Sequence, residues 1–192
     1  YNLINQANIS KKTGVSTSYI HDIVKYLKQV DIVTKRGQFY SLSDPFKLLQ
    51  LMSFERPFNS LKAHELRLET DNITDSESLL TRILSDYEIK YAFTMFSGLR
   101  RFFEYHISYP MVHLYIDDYS IINQITRGEG PIKIWLIDPD YDFILRNRKK
   151  LSDHYVCDKE QIIIDLFSSG IGRDAAYKFL KVMENDRERN YS

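Results

Sequence analysis

Cysteine is almost absent from this sequence. Cys157 is the only one among 192 residues, which excludes an internal disulfide framework and fits a reducing compartment, so we expect a cytoplasmic protein. The five histidines are scattered along the chain rather than set at metal-ligand spacings, so no metal site is predicted. No motif implies a cofactor.

Long apolar runs are also missing. No stretch approaches the roughly 20 consecutive apolar residues that a membrane-spanning helix requires, so no membrane partner is expected. The chain has no overall charge excess, because 26 basic residues balance 26 acidic ones. The balance is nevertheless uneven, since residues 1–50 hold seven Lys or Arg and three Asp, a net charge of +4, and the remainder carries −4. A basic segment is the electrostatic footprint expected for binding to phosphate groups.

The segment Ile9–Tyr40 begins with the pattern of a helix-turn-helix. Gly14 permits a left-handed turn after a short helix, and Ser16 is a favourable N-cap for the next helix. In that second helix a set of apolar residues recurs at helical spacing and is expected to face the core. The set is Ile20, Ile23, Val24, Leu27 and Val30.

Two strand-like runs, residues 32–34 and 38–40, follow the second helix and predict a hairpin. The turn between them is predicted to be Lys35-Arg36-Gly37, which gives the hairpin a basic tip. A helix-turn-helix followed by such a hairpin predicts a winged helix-turn-helix DNA-binding domain over residues 1–44. A winged helix ordinarily starts with one more helix, so we expect the first helix to be truncated before Tyr1.

The second helix would be the recognition helix, with its polar N-terminal turns directed at base edges in the major groove. Lysines further along the helix, or on the preceding helix, would contact phosphates, and the basic tip of the wing would enter the minor groove. A single winged helix makes few phosphate contacts, so we expect a homodimer on two half-sites, joined through the second domain. The predicted DNA-binding residues are Lys11, Lys12, Thr17, Ser18, Tyr19, His21, Lys25, Lys35 and Arg36.

The rest of the chain changes character after the wing. Asp44 as N-cap and Pro45 at the first helical position start a connecting helix, and residues 45–74 are predicted to be this helix and a linker. Beyond them, short strands alternate with helices, which predicts a mixed α/β C-terminal domain with a small sheet over residues 75–192 and an α+β fold class overall. The predicted strands are 90–94, 111–116 and 132–137, and the predicted helices are 75–87, 96–106, 118–126, 159–168 and 173–185.

One alternative for the C-terminal domain is a degenerate nucleotidyltransferase-like fold. A Ser-Gly turn at 97–98, a helix and then a strand are similar to that fold, whose chemistry requires two carboxylates on one strand face to hold Mg²⁺. Here the alternate strand positions hold His113 and Tyr115. Asp117 and Asp118 are adjacent, point to opposite faces, and are interpreted as a strand end and a helix N-cap. We therefore predict no catalytic residue and no enzymatic activity.

Four shorter motifs receive structural interpretations. Asp138-Pro139-Asp140 is predicted to be a turn, and Gly170-Ile171-Gly172 a tight connection between two helices. Cys157 is predicted to be buried and inert. The basic run from Arg146 to Lys150 is either a solvated face or an extension of the DNA-binding surface.

Three segments of the sequence resemble the AbiEi-type antitoxins, which are transcriptional regulators of type IV toxin–antitoxin systems. YNLINQANISKKTGVSTSYIHDIVKYLKQVDIV, followed by SLSDPFKLLQLMSF, resembles their winged helix. YAFTMFSGLRRFFEYH is similar to the central region of the family, and EQIIIDLFSSGIGRDAAYKFLKVM to its closing motif. The resemblance implies a DNA-binding repressor that regulates its own operon, with a nucleotidyltransferase-like toxin as genetic partner.

The function expected from the sequence is that of a sequence-specific transcriptional regulator, an antitoxin-like prokaryotic repressor that binds double-stranded operator DNA. Two alternatives stay open. One is a nucleotidyltransferase-like enzyme that a winged helix targets to DNA, and the other is a protein-interaction module built on the same winged helix.

Overall fold

The computed structural model describes residues 3–105 and 108–189, with side chains as far as residue 186. The predicted helix over residues 96–106 and the predicted domains at both termini extend beyond these residues. The chain is α+β, as predicted, with helices, a three-stranded antiparallel sheet and a six-stranded mixed sheet. It divides into two compact units, which we call unit 1 (Tyr1–Met52) and unit 2 (Ser53–Ser192).

Unit 1 consists of helices and short strands that follow one another closely. Their order is β1 (Leu3–Ile4), α1 (Gln6–Thr13), α2 (Thr17–Gln29), β2 (Val33–Arg36) and β3 (Phe39–Leu42). The strands form a sheet in the order β1-β3-β2, and both pairings are antiparallel. The strand that precedes the helices therefore lies beside the second arm of the β2–β3 hairpin.

The turn between α1 and α2 is formed by the residues predicted for it. Gly14 ends α1 with a left-handed φ of +74°, and its N–H donates to the Ser10 carbonyl oxygen at 2.9 Å. Ser16 caps α2, because its Oγ accepts a hydrogen bond from the N–H of Tyr19 at 3.3 Å. A Cβ at Gly14 would have no neighbour within 4 Å among the described residues. The dihedral angle, and not the available space, therefore favours glycine there.

The core of unit 1 joins α2 to the hairpin. Its fully buried members are Ile20, Val24, Ile32 and Val33. The partly buried side chain of Leu27 packs against them, as predicted. The prediction that Ile23 faces this core is wrong, since its side chain is 42% exposed. Ile23 precedes Val24 by one residue, about 100° of helix rotation, and so lies on the flank of α2.

The β2–β3 hairpin is tighter than the sequence pattern suggests. Arg36 pairs with Phe39, so the loop contains only Gly37 and Gln38. Gly37 supplies the positive φ, +62°, that a two-residue hairpin loop requires at its first position. Lys35 and Arg36 are therefore not in the turn but are the last residues of β2. Successive strand residues face opposite sides of the sheet, so these two basic side chains leave the hairpin in opposite directions.

An acidic residue occupies the left-handed position that ends α2. Asp31 has a φ of +58°. Its N–H donates to the carbonyl oxygen of Lys28 at 3.2 Å, and the N–H of Ile32 donates to that of Leu27 at 2.8 Å. These two bonds form a Schellman motif, in which the left-handed residue is usually glycine. A carboxylate at this end of a helix also faces the negative pole of the helix dipole.

Asp31→Gly is expected to raise the free energy of unfolding of unit 1 by about 0.5–1 kcal/mol, because it relieves the Cβ strain and removes the unfavourable charge. The measurement is urea unfolding followed by circular dichroism. Lys28→Gly is the matched control: it places the same residue inside the helix and should instead destabilise by about 0.5–1 kcal/mol. A loss of stability in both variants would contradict the interpretation of Asp31.

Unit 2 is organised around the six-stranded sheet. Its strands are β4 (Ala63–Arg67), β5 (Tyr91–Phe93), β6 (Met111–Ile116), β7 (Lys133–Ile137), β8 (Lys149–Leu151) and β9 (His154–Val156). The order in the sheet is β4-β7-β6-β5-β9-β8. The β6–β7 and β5–β9 pairings are parallel, and the others are antiparallel. The predicted strands at 90–94, 111–116 and 132–137 are confirmed as β5, β6 and β7.

The remaining helices are α3 (Pro45–Glu55), α4 (Ile73–Asp86), α5 (Met95–Leu99), α6 (Phe143–Arg146), α7 (Lys159–Ser168) and α8 (Arg173–Arg189). Helix α3 crosses the division between the units, and Asp44 caps it as predicted, since its Oδ1 accepts from the N–H of Lys47 at 2.8 Å. The predicted helices 75–87, 159–168 and 173–185 correspond to α4, α7 and α8. None of the helices in the described part of the chain has the length and apolarity needed to cross a membrane.

The segment predicted as a linker, residues 45–74, contains a strand of the large sheet. β4 pairs with β7 along its whole length, from Ala63 opposite Ile137 to Arg67 opposite Lys133. The two units therefore divide between Met52 and Ser53, and not at residues 44 and 75. The sequence pattern of β4 is weak because the strand is at the sheet edge, where Leu66 is its only fully buried residue.

Two predicted helices are shorter than expected. α5 ends at Leu99. Beyond it, Phe102 and Phe103 both contact Phe179 of α8, with ring centroids 6.1 and 5.9 Å apart. His106, the predicted end of that helix, is outside the described residues. The predicted helix over 118–126 is instead a 3-10 turn at Tyr119–Asn123.

His113 of β6 is buried among aromatic rings. The ring of Tyr109 stacks on it at a centroid distance of 5.8 Å, and Phe58 and Trp135 contact it edge-on at 5.6 Å. The imidazole is only 2% exposed, and its Nδ1 has no hydrogen-bond partner in the part of the chain that the structure describes. Burial lowers the pKa of His113 to about 4, so the imidazole is neutral near pH 7.

Candidate nucleic-acid interface

The first turns of α2 present polar side chains to solvent. Four of the predicted DNA-binding residues lie there and are exposed, namely Thr17, Ser18, Tyr19 and His21, and the fifth on this helix, Lys25, is exposed one turn further along. The start of the helix is fixed by the cap at Ser16, which ties its hydroxyl to the backbone of the first turn. A capped helix start with exposed hydrogen-bonding side chains is the geometry with which recognition helices contact base edges.

Thr17 has a different environment from the other residues of this set. It is exposed, but its hydroxyl donates to the Oγ of Ser10 at 3.3 Å, and Ser10 in turn donates to the carbonyl oxygen of Val15 at 2.7 Å. These bonds connect the start of α2 to α1 across the turn. Thr17 therefore positions α2 relative to α1, and a base contact from its hydroxyl would use only its acceptor lone pairs.

Lys11 and Lys12 lie in the last turn of α1, immediately before Gly14. Both are exposed, and neither forms an ion pair with any described residue. Their position is intrinsically favourable, because cations at a helix C-terminus interact with the negative pole of the helix dipole. Two unpaired cations at the turn can contact phosphate groups.

The two basic residues of the hairpin, Lys35 and Arg36, are both exposed at the end of β2. The sequence predicted that they lie at the tip of the wing, where a long basic side chain can enter the minor groove. They are instead the last two residues of β2 and project from opposite faces of the strand, so the two side chains do not point to the same side of the hairpin. The structure thus distributes the predicted residues over three elements of unit 1: two on α1, five on α2 and two on β2.

A second exposed stripe on α2 was missed by the sequence interpretation. Tyr19, Ile23 and Tyr26 are 61%, 42% and 49% exposed and follow one another at spacings of four and three residues. Such spacing places the three side chains on one face of the helix. The signal is visible in the sequence, but Ile23 fits the core stripe equally well and conceals it.

A buried ionic cluster in unit 2 holds the segment that follows α3. The Arg56 side chain is only 12% exposed. Its Nε and Nη2 donate to the carboxylate of Asp140 at 2.5 and 2.8 Å, and its Nη1 donates to Asp165 at 2.8 Å. Nη2 also donates to the hydroxyl of Tyr115 at 2.8 Å. This bidentate geometry is the strong form of an arginine–carboxylate pair.

Asp165 of α7 is the centre of this cluster and is completely buried. Its carboxylate accepts from Thr94 Oγ1 at 2.6 Å, from Gln161 Nε2 at 2.8 Å and from the Tyr115 hydroxyl at 3.0 Å, in addition to Arg56. Burial raises the pKa of Asp165, and the surrounding donors oppose that shift. Both carboxylate oxygens have partners within the protein, so the cluster is a structural tie between α7, β6, Thr94 at the start of α5 and the segment after α3.

The remaining acidic motifs also have structural roles. Asp118 caps the 3-10 turn, as predicted, since its Oδ1 accepts from the N–H of Ser120 at 2.8 Å. Asp117 accepts from the backbone N–H of Lys90 at 2.9 Å. Cys157 is buried, as predicted, and burial raises the pKa of its thiol well above the ordinary range. Asp140, predicted only as a turn residue, is a partner of Arg56.

Within residues 3–105 and 108–189, no group of three or more His, Cys, Asp or Glu is arranged to hold a metal ion. Comparisons of the chain with protein-family models, with curated proteins and with solved structures gave no match.

Proposed function

We propose that this chain is a sequence-specific DNA-binding transcriptional regulator whose unit 1 is a winged helix-turn-helix. The observation that carries the proposal is the arrangement of that unit. Its elements follow in the order β1-α1-α2-β2-β3, with the hairpin paired to the first strand in the order β1-β3-β2. Helix α2 begins at a side-chain cap and exposes short polar residues in its first turns. This is the arrangement in which a recognition helix and a wing contact DNA.

The distribution of charge supports the same function. The net charge of +4 belongs to residues 1–50, and the cations on α1, α2 and β2 are exposed. An excess of four positive charges is modest, so sequence-independent affinity for one copy would be low. We therefore also propose that the protein binds its operator as a homodimer, since two copies on half-sites about one helical turn apart would double the phosphate contacts.

The biological role within this proposal is that of an antitoxin-like repressor acting in the cytoplasm. The resemblance of three segments to the AbiEi-type antitoxins supports a repressor that regulates its own operon beside a nucleotidyltransferase-like toxin gene. Unit 2 would then serve assembly and regulation. Nucleotidyl transfer is not proposed for it, because Asp117 and Asp118 are occupied with backbone N–H groups and the buried His113 and Tyr115 stand at the alternate positions of β6.

The phosphate contacts can be tested with the double variant Lys25→Ala, Arg36→Ala. Its binding to every duplex is expected to weaken, on the order of 10-fold at low salt, and the slope of log K against log salt to fall by about two. Fluorescence anisotropy between 50 and 200 mM salt, on duplexes from the region upstream of the gene and on scrambled duplexes, measures both. The matched control is Lys47→Ala, which removes an exposed cation of α3 outside the proposed interface.

Base readout is separated from phosphate contact in the same assay. Ser18→Ala and His21→Ala are expected to cost roughly 1–3 kcal/mol at particular base pairs of the operator while leaving binding to scrambled duplexes nearly unchanged. If the Lys25→Ala, Arg36→Ala variant binds its operator as well as the parent protein at moderate salt, unit 1 does not bind DNA through these residues.

A second candidate function, a protein-interaction module, is favoured by the exposed stripe of Tyr19, Ile23 and Tyr26. An apolar stripe on a helix is the kind of surface that binds another protein rather than a phosphate backbone. The assay above separates the two functions. An interaction module would not bind the operator duplexes, whereas a recognition helix that uses its polar face should bind them even in a Tyr26→Ser, Ile23→Ser variant.

A further inference from the structure

A groove lies in unit 2 between α4 and the β8–β9 hairpin. It has a volume of about 400 Å³ and is lined only by polar side chains. From α4 come the hydroxyls of Ser78, Thr81 and Ser85 and the guanidinium of Arg82. The spacing of these residues, 78, 81, 82 and 85, places them on one face of the helix, opposite the buried residues of its core face.

The hairpin supplies the other wall of the groove. Lys150 of β8 and His154 of β9 line it, with Asp153 from the turn between the two strands. The two walls are joined by one hydrogen bond, 2.8 Å long, between Thr81 Oγ1 and His154 Nδ1. This bond fixes the imidazole and the hydroxyl against each other, so the groove has a defined shape on both sides.

The two cations of the groove have no carboxylate partner among the described residues. Arg82 and Lys150 are exposed, and neither makes an ion pair with any residue that the structure describes. Among the described residues, the only carboxylate lining the groove is Asp153, so the side chains there carry a net positive charge before any contribution from His154. Elsewhere unit 2 carries an excess of acidic residues, since residues 51–192 have a net charge of −4.

This set of groups has the chemistry of phosphate recognition. A guanidinium presents a fork of donors, an ammonium a compact point charge, and hydroxyls can donate to the remaining oxygens. The groove lacks apolar side chains, so it offers no burial energy to an uncharged apolar ligand. The negative charge of the rest of unit 2 would repel a long polyanion, whereas a single phosphoryl group in the groove is exposed mainly to the local positive charge.

We propose that this groove binds the phosphoryl group of a small phosphorylated ligand, held by Arg82, Lys150 and the hydroxyls of α4. In a DNA-binding regulator such a ligand would be an effector. The binding site itself does not depend on the proposed function of unit 1, so either proposal can fail without the other.

The test is titration of the isotopically labelled full chain with inorganic phosphate and with adenosine 5′-monophosphate, followed by NMR at constant ionic strength. Saturable shifts are expected for the amides of residues 78–85 and 150–154. In the double variant Arg82→Gln, Lys150→Gln the affinity should fall at least 10-fold. Lys149→Gln is the matched control, because Lys149 is an exposed cation of the same strand that is not among the residues lining the groove. Its affinity should equal that of the parent protein.

A second variant, Ser85→Asp, places a carboxylate on the α4 wall and should abolish the shifts without touching either cation. The proposal is overturned if neither probe shifts these amides, or if the shifts persist in Arg82→Gln, Lys150→Gln and in Ser85→Asp. It is also overturned if only duplex DNA shifts them, because the groove would then be a contact for the DNA backbone.

Discussion

Asp165→Ala is expected to lower the free energy of unfolding of unit 2 by about 3–5 kcal/mol. The substitution removes the acceptor for Thr94, Gln161 and Tyr115 and leaves the mostly buried guanidinium of Arg56 with Asp140 as its remaining carboxylate partner. Unpaired buried donors and a partly unpaired buried cation are among the most costly defects in a protein interior. The measurement is guanidinium unfolding followed by the fluorescence of Trp135, the only tryptophan of the chain, which lies on β7.

Substitutions that remove parts of the cluster should lower the free energy of unfolding by graded amounts. Asp140→Asn should lower it less than Asp165→Ala does, because the side chain of Asp140 is 27% exposed and water can replace part of the lost pairing. The double variant Arg56→Met, Asp165→Leu should recover much of the stability, since it removes both buried charges together. Lys62→Ala is the control for an exposed pair, that with Asp138, and should change stability by less than about 0.5 kcal/mol. A loss for Asp165→Ala no larger than that for Lys62→Ala would contradict the role assigned to the cluster.

A fall in pH from 7 to 4 is expected to cost unit 2 about 3 kcal/mol through His113 alone. The pKa of His113 in the folded protein is about 4, below its ordinary value of 6.5. The unfolded chain therefore takes up the proton first as the pH falls. The penalty is small above about pH 6.5, grows as the pH falls from 6.5 to 4, and is complete only below the folded pKa.

His113→Phe should remove this part of the pH dependence, because a ring of similar size can occupy the aromatic contacts with Tyr109, Phe58 and Trp135 without taking up a proton. The comparison is the difference in unfolding free energy between pH 7 and pH 4 for the parent and the variant. His64→Gln, at an exposed position of β4, controls for the loss of a histidine. An unchanged pH dependence in His113→Phe would show that the imidazole can be protonated in the folded state at little cost.

The parts of unit 1 that follow from the sequence are those determined by neighbouring residues. Gly14 and Ser16 act within one turn of the chain. A left-handed dihedral angle favours glycine, and a side-chain cap favours serine, so the residue type itself indicates the local structure. Ile23 shows where this fails. The helical period allows it on either of two adjacent faces, and only the packing of α2 against the hairpin decides between them.

The features of unit 2 that escaped the sequence interpretation depend on contacts between distant residues. Arg56 and Asp165 are 109 residues apart, and neither has a neighbour in sequence that indicates a buried pair. Beyond the short α5, Phe102 and Phe103 both pack on Phe179 of α8, a contact that the local sequence does not indicate. The groove beside α4 combines one helix face, visible in the spacing of its residues, with a hairpin whose position the spacing cannot reveal.

The pairing of distant strands also determines when each unit can form as the chain is synthesised. In unit 1 the β2–β3 hairpin closes over two residues, and the longest strand pairing, Leu3 with Ser41, spans 38 residues. In unit 2, Phe93 of β5 pairs in parallel with Val156 of β9, 63 residues later. A contact of that separation is slow to form, because the entropy of closing the loop is lost before the pairing is gained. Unit 1 is therefore expected to fold during synthesis, before the last strands of the large sheet have been translated.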